Sequence, residues 1–217
     1  LLPLVILATA PSADAHPVAR LRQAFARTGR LAVVPLPGLT AAATEQFLTQ
    51  LSPTLAPPLV AQTAVRIHTA TAGNPFFILE ILRDLQESGQ LAAPPADLPL
   101  PASVREAIQT RLGHLSPVAQ QLLEAAAILT PQLDETLLRH TAGRTEAETA
   151  DALDELLAHH LLQLPPPQTQ NTTLAFPHGL LPTAVLTTLT PWRQKLLHRR
   201  AGEALTQLQP TNAAALA

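Results

Sequence analysis

A chain of 217 residues is long enough for one large domain or two to three small ones. With 47% hydrophobic and 14% charged residues it is globular rather than disordered, and a formal net charge of −2 offers no global field to recruit nucleic acid or an anionic membrane. The absence of Cys excludes disulfides and cysteine-based zinc sites and fits a reducing cytoplasm, while 3% aromatic content with abundant Leu and Ala favours helices over a β-sandwich.

The chain carries no Met, even at position 1, which predicts a fragment or a processed product. Residues 1–37 read as strand, helix, strand. Leu4–Leu7 predicts a buried strand of a parallel sheet; a signal-peptide remnant is the rival, but the basic leader is missing. Val18 to Arg27 predicts a short helix with Leu21 and Phe25 inward, and Leu31–Leu36 a second extended apolar run. This is the expected tail of an α/β domain whose front is absent.

Residues 38–92 predict three short helices in a small bundle. Thr40 caps the first, which carries Phe47, Leu48 and Leu51; the second carries Val60, Ala64 and Ile67. The third begins in Gly73-Asn74-Pro75. Gly73 suits a left-handed helix end, Asn74 an N-cap, and Pro75 a first turn where no amide donor is needed. Phe76, Phe77, Ile78, Ile81, Leu82 and Leu85 give that helix a broad buried face, and its exposed first amides make a partly positive end suited to a polar ligand.

Residues 93–101 are proline-rich and predict a hinge. From 102 to 190, helices are marked by Val104, Ile108 and Leu112, by the cap Ser116-Pro117, by 133–140, and by the capping box Thr145…Glu148. Two short apolar runs, 161–164 and 174–176, flank a polar loop, 165–172, so helices followed by a hairpin predict a winged helix. A helix covers 180–189, Thr190-Pro191 opens another, and Asn212 begins one more. The expected class is therefore mainly α: the end of an α/β core, a helical lid, then a winged-helix domain with a short β-hairpin, and 191–217 as the start of a further helical region.

Catalytic motifs are scarce. The only lysine is Lys195, so there is no Gly-rich loop ending in Lys to cradle phosphates, and no acidic pair closes a strand to hold Mg²⁺. His159-His160 point apart on a helix and suit its C-terminal dipole better than a metal; Arg193, Lys195, His198, Arg199 and Arg200 read as a solvated face. No catalytic residue and no metal ligand is assigned.

The segment Gly73-Asn-Pro-Phe-Phe-Ile-Leu-Glu-Ile-Leu82 resembles the Gly-x-Pro motif in the lid of STAND-type signalling ATPases, AAA-related regulators that include LuxR-type bacterial proteins. Leu115-Ser-Pro117 with Leu122–Ala127, Ala152–Leu156, Phe176-Pro-His-Gly179 and Trp192-Arg193 through Leu197–Arg200 resemble further family segments in the same order. The resemblance implies that Pro75, presented by Gly73 and Asn74, touches adenine, and that His178 hydrogen-bonds a nucleotide phosphate. It implies ATP or ADP with Mg²⁺ as cofactors of the intact parent and none for this chain alone, which is not expected to hydrolyse ATP. The upstream ATPase core of the same protein is the implied partner, with downstream helical repeats and self-association further ones, in cytoplasmic signal transduction or transcription control. Two departures stand out. Pro11 occupies the position of a strand-closing Arg, and Gly179 that of an Asp; both remove polar groups from the phosphate end of the site. Rival functions are a nucleotide-independent helical scaffold and a DNA-reading winged helix. The second is disfavoured because the reader helix carries Glu146, Glu148, Asp151, Asp154 and Glu155 and no Arg or Lys. Neither direct DNA binding nor membrane association is expected.

Overall fold

A computed structural model describes residues 6, 7, 9, 18–53, 55–131, 133–164 and 174–208. Leu4, Val5, Pro11, the loop 165–172, the last expected helix from Asn212 and the side chain of Leu21 lie outside the described residues. The chain is mainly α and divides into two compact units, Leu1–Pro37 and Gly38–Ala217.

The first unit contains α1 (Val18–Ala26). Phe25, expected inward, is 50% exposed. The described residues of the two apolar runs are not in buried strands: Leu7 is 94% exposed and Leu36 84%, and none of the described residues of either run takes part in a β-bridge. A strand is stable only when a neighbour accepts its N–H groups and covers its face, and no described residue does either.

The second unit contains α2 (Ala41–Leu51), α3 (Pro57–Thr71), α4 (Pro75–Glu87), α5 (Ala102–Leu112), α6 (Pro117–Leu129), α7 (Glu135–Ala142), α8 (Glu146–Ala158), α9 (Leu180–Thr188) and α10 (Pro191–Leu208). Local chemistry sets most of the starts. Oxygens of Thr40, Asn74, Ser116 and Asp134 accept from backbone N–H groups of the first turns that follow. Thr145 and Glu148 form a reciprocal capping box, Glu148 N–H to Oγ1 at 3.3 Å and Thr145 N–H to Oε2 at 2.9 Å. These bonds from Thr145 are the main reason the Glu148 carboxyl is held below its ordinary pKa. α7 starts two residues later than expected, with Asp134 as its cap.

One core runs through this unit. α2 packs on α3, α3 on α4, α4 on α5 and α5 on α9, while α6 lies at the centre of α7, α8, α9 and α10. α6 buries seven residues, including Leu122, Leu123 and four alanines, and these small side chains let four neighbours approach. Leu48, Ile67, Ile78, Ile81 and Leu85 are fully buried in the first bundle, each stabilising by about 1.5–3 kcal/mol. Trp192 points to solvent at 81% exposure, while Leu197, Ala201 and Ala204 make the buried stripe of α10.

Two expectations change. The described residues form isolated bridges only, Leu133 with Leu174 and Gln163 with Ala175, where a β-hairpin was expected. The proline-rich hinge is strapped down: the Arg66 guanidinium donates to the carbonyls of Pro95 and, at 2.8 Å, of Ala96, and Leu98 and Leu100 pack on the core.

A tight backbone crossing joins Gly38-Leu39 to Ala72-Gly73. Leu39 N–H donates to the Gly73 carbonyl at 2.8 Å. A Cβ on Gly38 would collide with the Ala72 carbonyl oxygen, and one on Gly73, where φ is +75°, with the Leu39 carbonyl oxygen. Gly202, inside α10, has nothing within 4 Å of an added Cβ. We therefore expect Gly73→Ala to lower the unfolding free energy of this unit by about 3 kcal/mol or more, and Gly202→Ala to raise it by about 0.5–1 kcal/mol. Urea titration followed by circular dichroism checks both.

Candidate functional site

The residues expected to hold a ligand lie at the α3–α4 corner and in the turn before α9. At the corner, Ala72 (φ 50°) and Gly73 (φ 75°) are both left-handed, so the helix end expected at Gly73 alone takes two residues. The Thr71 hydroxyl donates to the Ile67 carbonyl at 2.7 Å and accepts from Gly73 N–H at 3.2 Å. Asn74 Oδ1 accepts from Phe76 N–H at 3.0 Å, and Pro75 has no N–H to satisfy. A His68 ring nitrogen lies 3.0 Å from the Leu39 carbonyl oxygen, so the crossing segment is held as well.

This satisfaction has a chemical consequence. Ile78 N–H already donates to the Asn74 carbonyl at 3.0 Å. Among the described residues, Phe77 N–H is then the first-turn donor of α4 without an acceptor. The expected row of free amides is reduced to one, so the helix end offers a ligand mainly its dipole and its surface. That surface is apolar: Pro75 is exposed, and Phe76, expected in the core, is 46% exposed, while Phe77 takes the buried position.

The structure brings His178 to this corner. Its ring meets that of Phe77 edge-on, with centroids 5.0 Å apart. The next residue, Gly179, lies against the last turn of α3: an added Cβ would sit 3.6 Å from the Ala70 Cα and 4.0 Å from the Thr69 carbonyl oxygen. The step from 178 to 179 thus straddles the corner, touching α4 on one side and α3 on the other. The Nδ1 atom of His178 is sealed from solvent and has no hydrogen-bond partner. Burial, and then the nearby charge of Arg111, push the imidazole pKa down to about 4, so the ring is neutral near pH 7.

Sequence reasoning missed Arg111. From the end of α5 its Nη2 donates to the carbonyls of His159 at 2.8 Å and His160 at 3.2 Å, closing the C-terminus of α8. Only its place in the last turn of α5 marked it, and a local helix-dipole role was the natural reading. Glu155, counted among acidic surface residues, accepts from Ser116 N–H at 2.7 Å and from its hydroxyl at 2.6 Å, tying α8 to the start of α6. Of the basic residues on α10, Arg193 pairs with Glu124 at 2.8 Å and Arg200 donates to the Ala142 carbonyl at 3.2 Å.

No group of three or more metal-ligating side chains is present among the described residues. A cleft of about 220 Å³ opens beside Gln109, Leu112, Leu123 and Val185, and another of about 390 Å³ beside Ile128, Leu137, His198 and Leu205. Neither is lined by Gly73, Asn74, Pro75 or His178. Among the described residues, no helix is long and apolar enough to cross a membrane. Compared with protein-family models, curated proteins and solved structures, the chain matches none.

His178 titrates near 4 in the folded chain and near 6.5 when unfolded. The unfolded state therefore binds more protons between those values, and stability falls as pH drops through that window. The contribution is present above about pH 6.5 and amounts to about 3 kcal/mol at most. Unfolding midpoints measured from pH 7 to pH 4 should decline less steeply for His178→Gln than for the wild type.

Proposed function

We propose that the chain is the lid and winged-helix portion of a STAND-type regulatory ATPase, in which nucleotide state is converted into the arrangement of helical units. The observation that carries this reading is the seating of His178 and Gly179 across the α3–α4 corner. A histidine far along the chain rests on the helix start that presents Pro75, and that is the coupling a nucleotide-reading switch requires. Adenine stacks on the exposed ledge of Pro75 and Phe76, and His178 meets a phosphate through Nε2. The exposed apolar run of Val33, Val34 and Leu36 supplies an edge on which an upstream ATPase sheet completes itself. The pairings of Leu133 with Leu174 and of Gln163 with Ala175 are the root of a wing hairpin. ATP or ADP with Mg²⁺ is held by that upstream core, and the chain acts in cytoplasmic signalling or transcription control.

A second reading, a helical scaffold that binds no nucleotide, draws support from the satisfied first turn of α4 and from the two clefts' distance in composition from the corner. Direct DNA reading by α8 is the weakest alternative, since Glu146, Asp151 and Asp154 are exposed on it.

In the full gene product, His178→Ala should weaken ADP binding about tenfold, the loss of one hydrogen bond to a charged group, and leave adenosine binding unchanged. Isothermal titration checks this. Equal ADP affinity in mutant and wild type contradicts the assigned role, and a full-length protein that binds neither ATP nor ADP favours the scaffold.

A further inference from the structure

His178 alone is a poor partner for a polyphosphate. Its Nδ1 is sealed in the contact with Phe77, so the closed turn offers a ligand at most the other ring nitrogen. The ring is also neutral near pH 7. A phosphate tail requires a fixed positive charge, and the only lysine of the chain, Lys195, belongs to α10. Arg66 is engaged with the 95–96 carbonyls and Arg83 with Glu80.

Arg111 has the properties of an anion ligand. It is partly buried, and burial disfavours its charged form. No carboxylate lies within ion-pair distance of it among the described residues. Both of its hydrogen bonds use Nη2 and end on neutral carbonyls, and Nε and Nη1 are not among the buried atoms lacking a partner. Those two nitrogens take no part in these bonds, so each keeps an N–H for an oxygen of an anion beside the fixed charge of the guanidinium. The fold places Arg111 on the helix beside the His178 turn: α5 packs on α9, whose start is bonded to the His178 carbonyl through Leu181 N–H at 3.3 Å. The 159–160 segment that Arg111 holds leads directly to Gln163, which pairs with Ala175, three residues before His178.

We propose that Arg111 is the anion-binding residue beside His178, and that its ligand is the terminal phosphate of a nucleotide. This rests on the nucleotide reading for the identity of the ligand, but not for the existence of an anion subsite. Arg111 supplies the charge, and His178 supplies shape and a neutral ring nitrogen.

The test uses the 217-residue chain and inorganic pyrophosphate, with the His178 ring signals followed by NMR. Saturable displacement of those signals in the wild type is expected, at least tenfold weaker in Arg111→Gln and intermediate in Arg111→Lys. The Gln variant keeps an amide donor for the His159 carbonyl, and a thermal melt of each variant checks the fold. No saturable response in the wild type overturns the proposal. So does an Arg111→Gln variant that melts lower yet binds pyrophosphate equally well, which assigns Arg111 to capping α8 alone. ATP titrated against tripolyphosphate separates the two readings. If ATP binds no more tightly, adenine is not recognised and the nucleotide reading fails while the Arg111 subsite stands. If ATP binds more tightly but equally in Arg111→Gln, the nucleotide reading stands and the Arg111 proposal falls.

Discussion

The α3–α4 corner leaves its backbone little freedom. Two consecutive residues, Ala72 and Gly73, take left-handed conformations, and the Gly38-Leu39 segment crosses them at a distance that leaves no room for a Cβ on either glycine. The Leu39-to-Gly73 hydrogen bond, the Thr71 hydroxyl and the Asn74 side chain each satisfy a polar group that the sharp turn would otherwise strand. Because the corner is rigid, the direction of α4 is set, and with it the faces on which Ile78, Ile81, Leu82 and Leu85 enter the core. The same rigidity gives the turn before α9 a fixed seat. His178 and Gly179 rest on the corner from two sides, so a displacement of one element is felt by the other.

Electrostatics at this seat are arranged by burial more than by pairing. His178 is neutral because its ring is desolvated, with Arg111 adding to the effect. Arg111 keeps its charge beside carbonyl oxygens at the negative end of α8, where a cation is favoured. Glu155, a little earlier on the same helix, is held below its ordinary pKa by its bonds to Ser116, which outweigh its desolvation. A neutral imidazole and a guanidinium with no carboxylate within ion-pair distance among the described residues lie in this region. That is the arrangement expected where an anion is to be received rather than where a proton is to be moved.

The legible parts of the fold were those decided within a few residues. Thr40, Asn74, Ser116 and the Thr145–Glu148 box cap the helices they were expected to cap, because a side chain reaching two or three residues forward needs no tertiary partner. Apolar spacing likewise identified Val60, Ala64 and Ile67 as one buried face. What distant contacts decide was not legible. Phe76 and Phe77 are adjacent and chemically identical, yet only Phe77 is buried, because α3 and the His178 turn lie on that side. The run Leu31–Leu36 has strand composition and no strand, since composition cannot supply a neighbour. The Arg66 strap and the Arg111 bonds span 29 and 48 residues, and no local pattern announces them. For the candidate site, Gly73, Asn74, Pro75 and His178 could be named beforehand, but not the sealing of Nδ1 or the cation nearby.

The claim on which the rest turns is that the corner and the His178 turn are energetically coupled through the Phe77–His178 contact. A double-mutant cycle with Phe77→Leu, His178→Asn and the pair, read as unfolding free energies at pH 7, measures that coupling directly. An interaction energy of about 0.5–1.5 kcal/mol is predicted, the range of aromatic pairs beyond their area burial. Additivity within about 0.3 kcal/mol would show that the two rings are neighbours without being coupled, and would contradict the account.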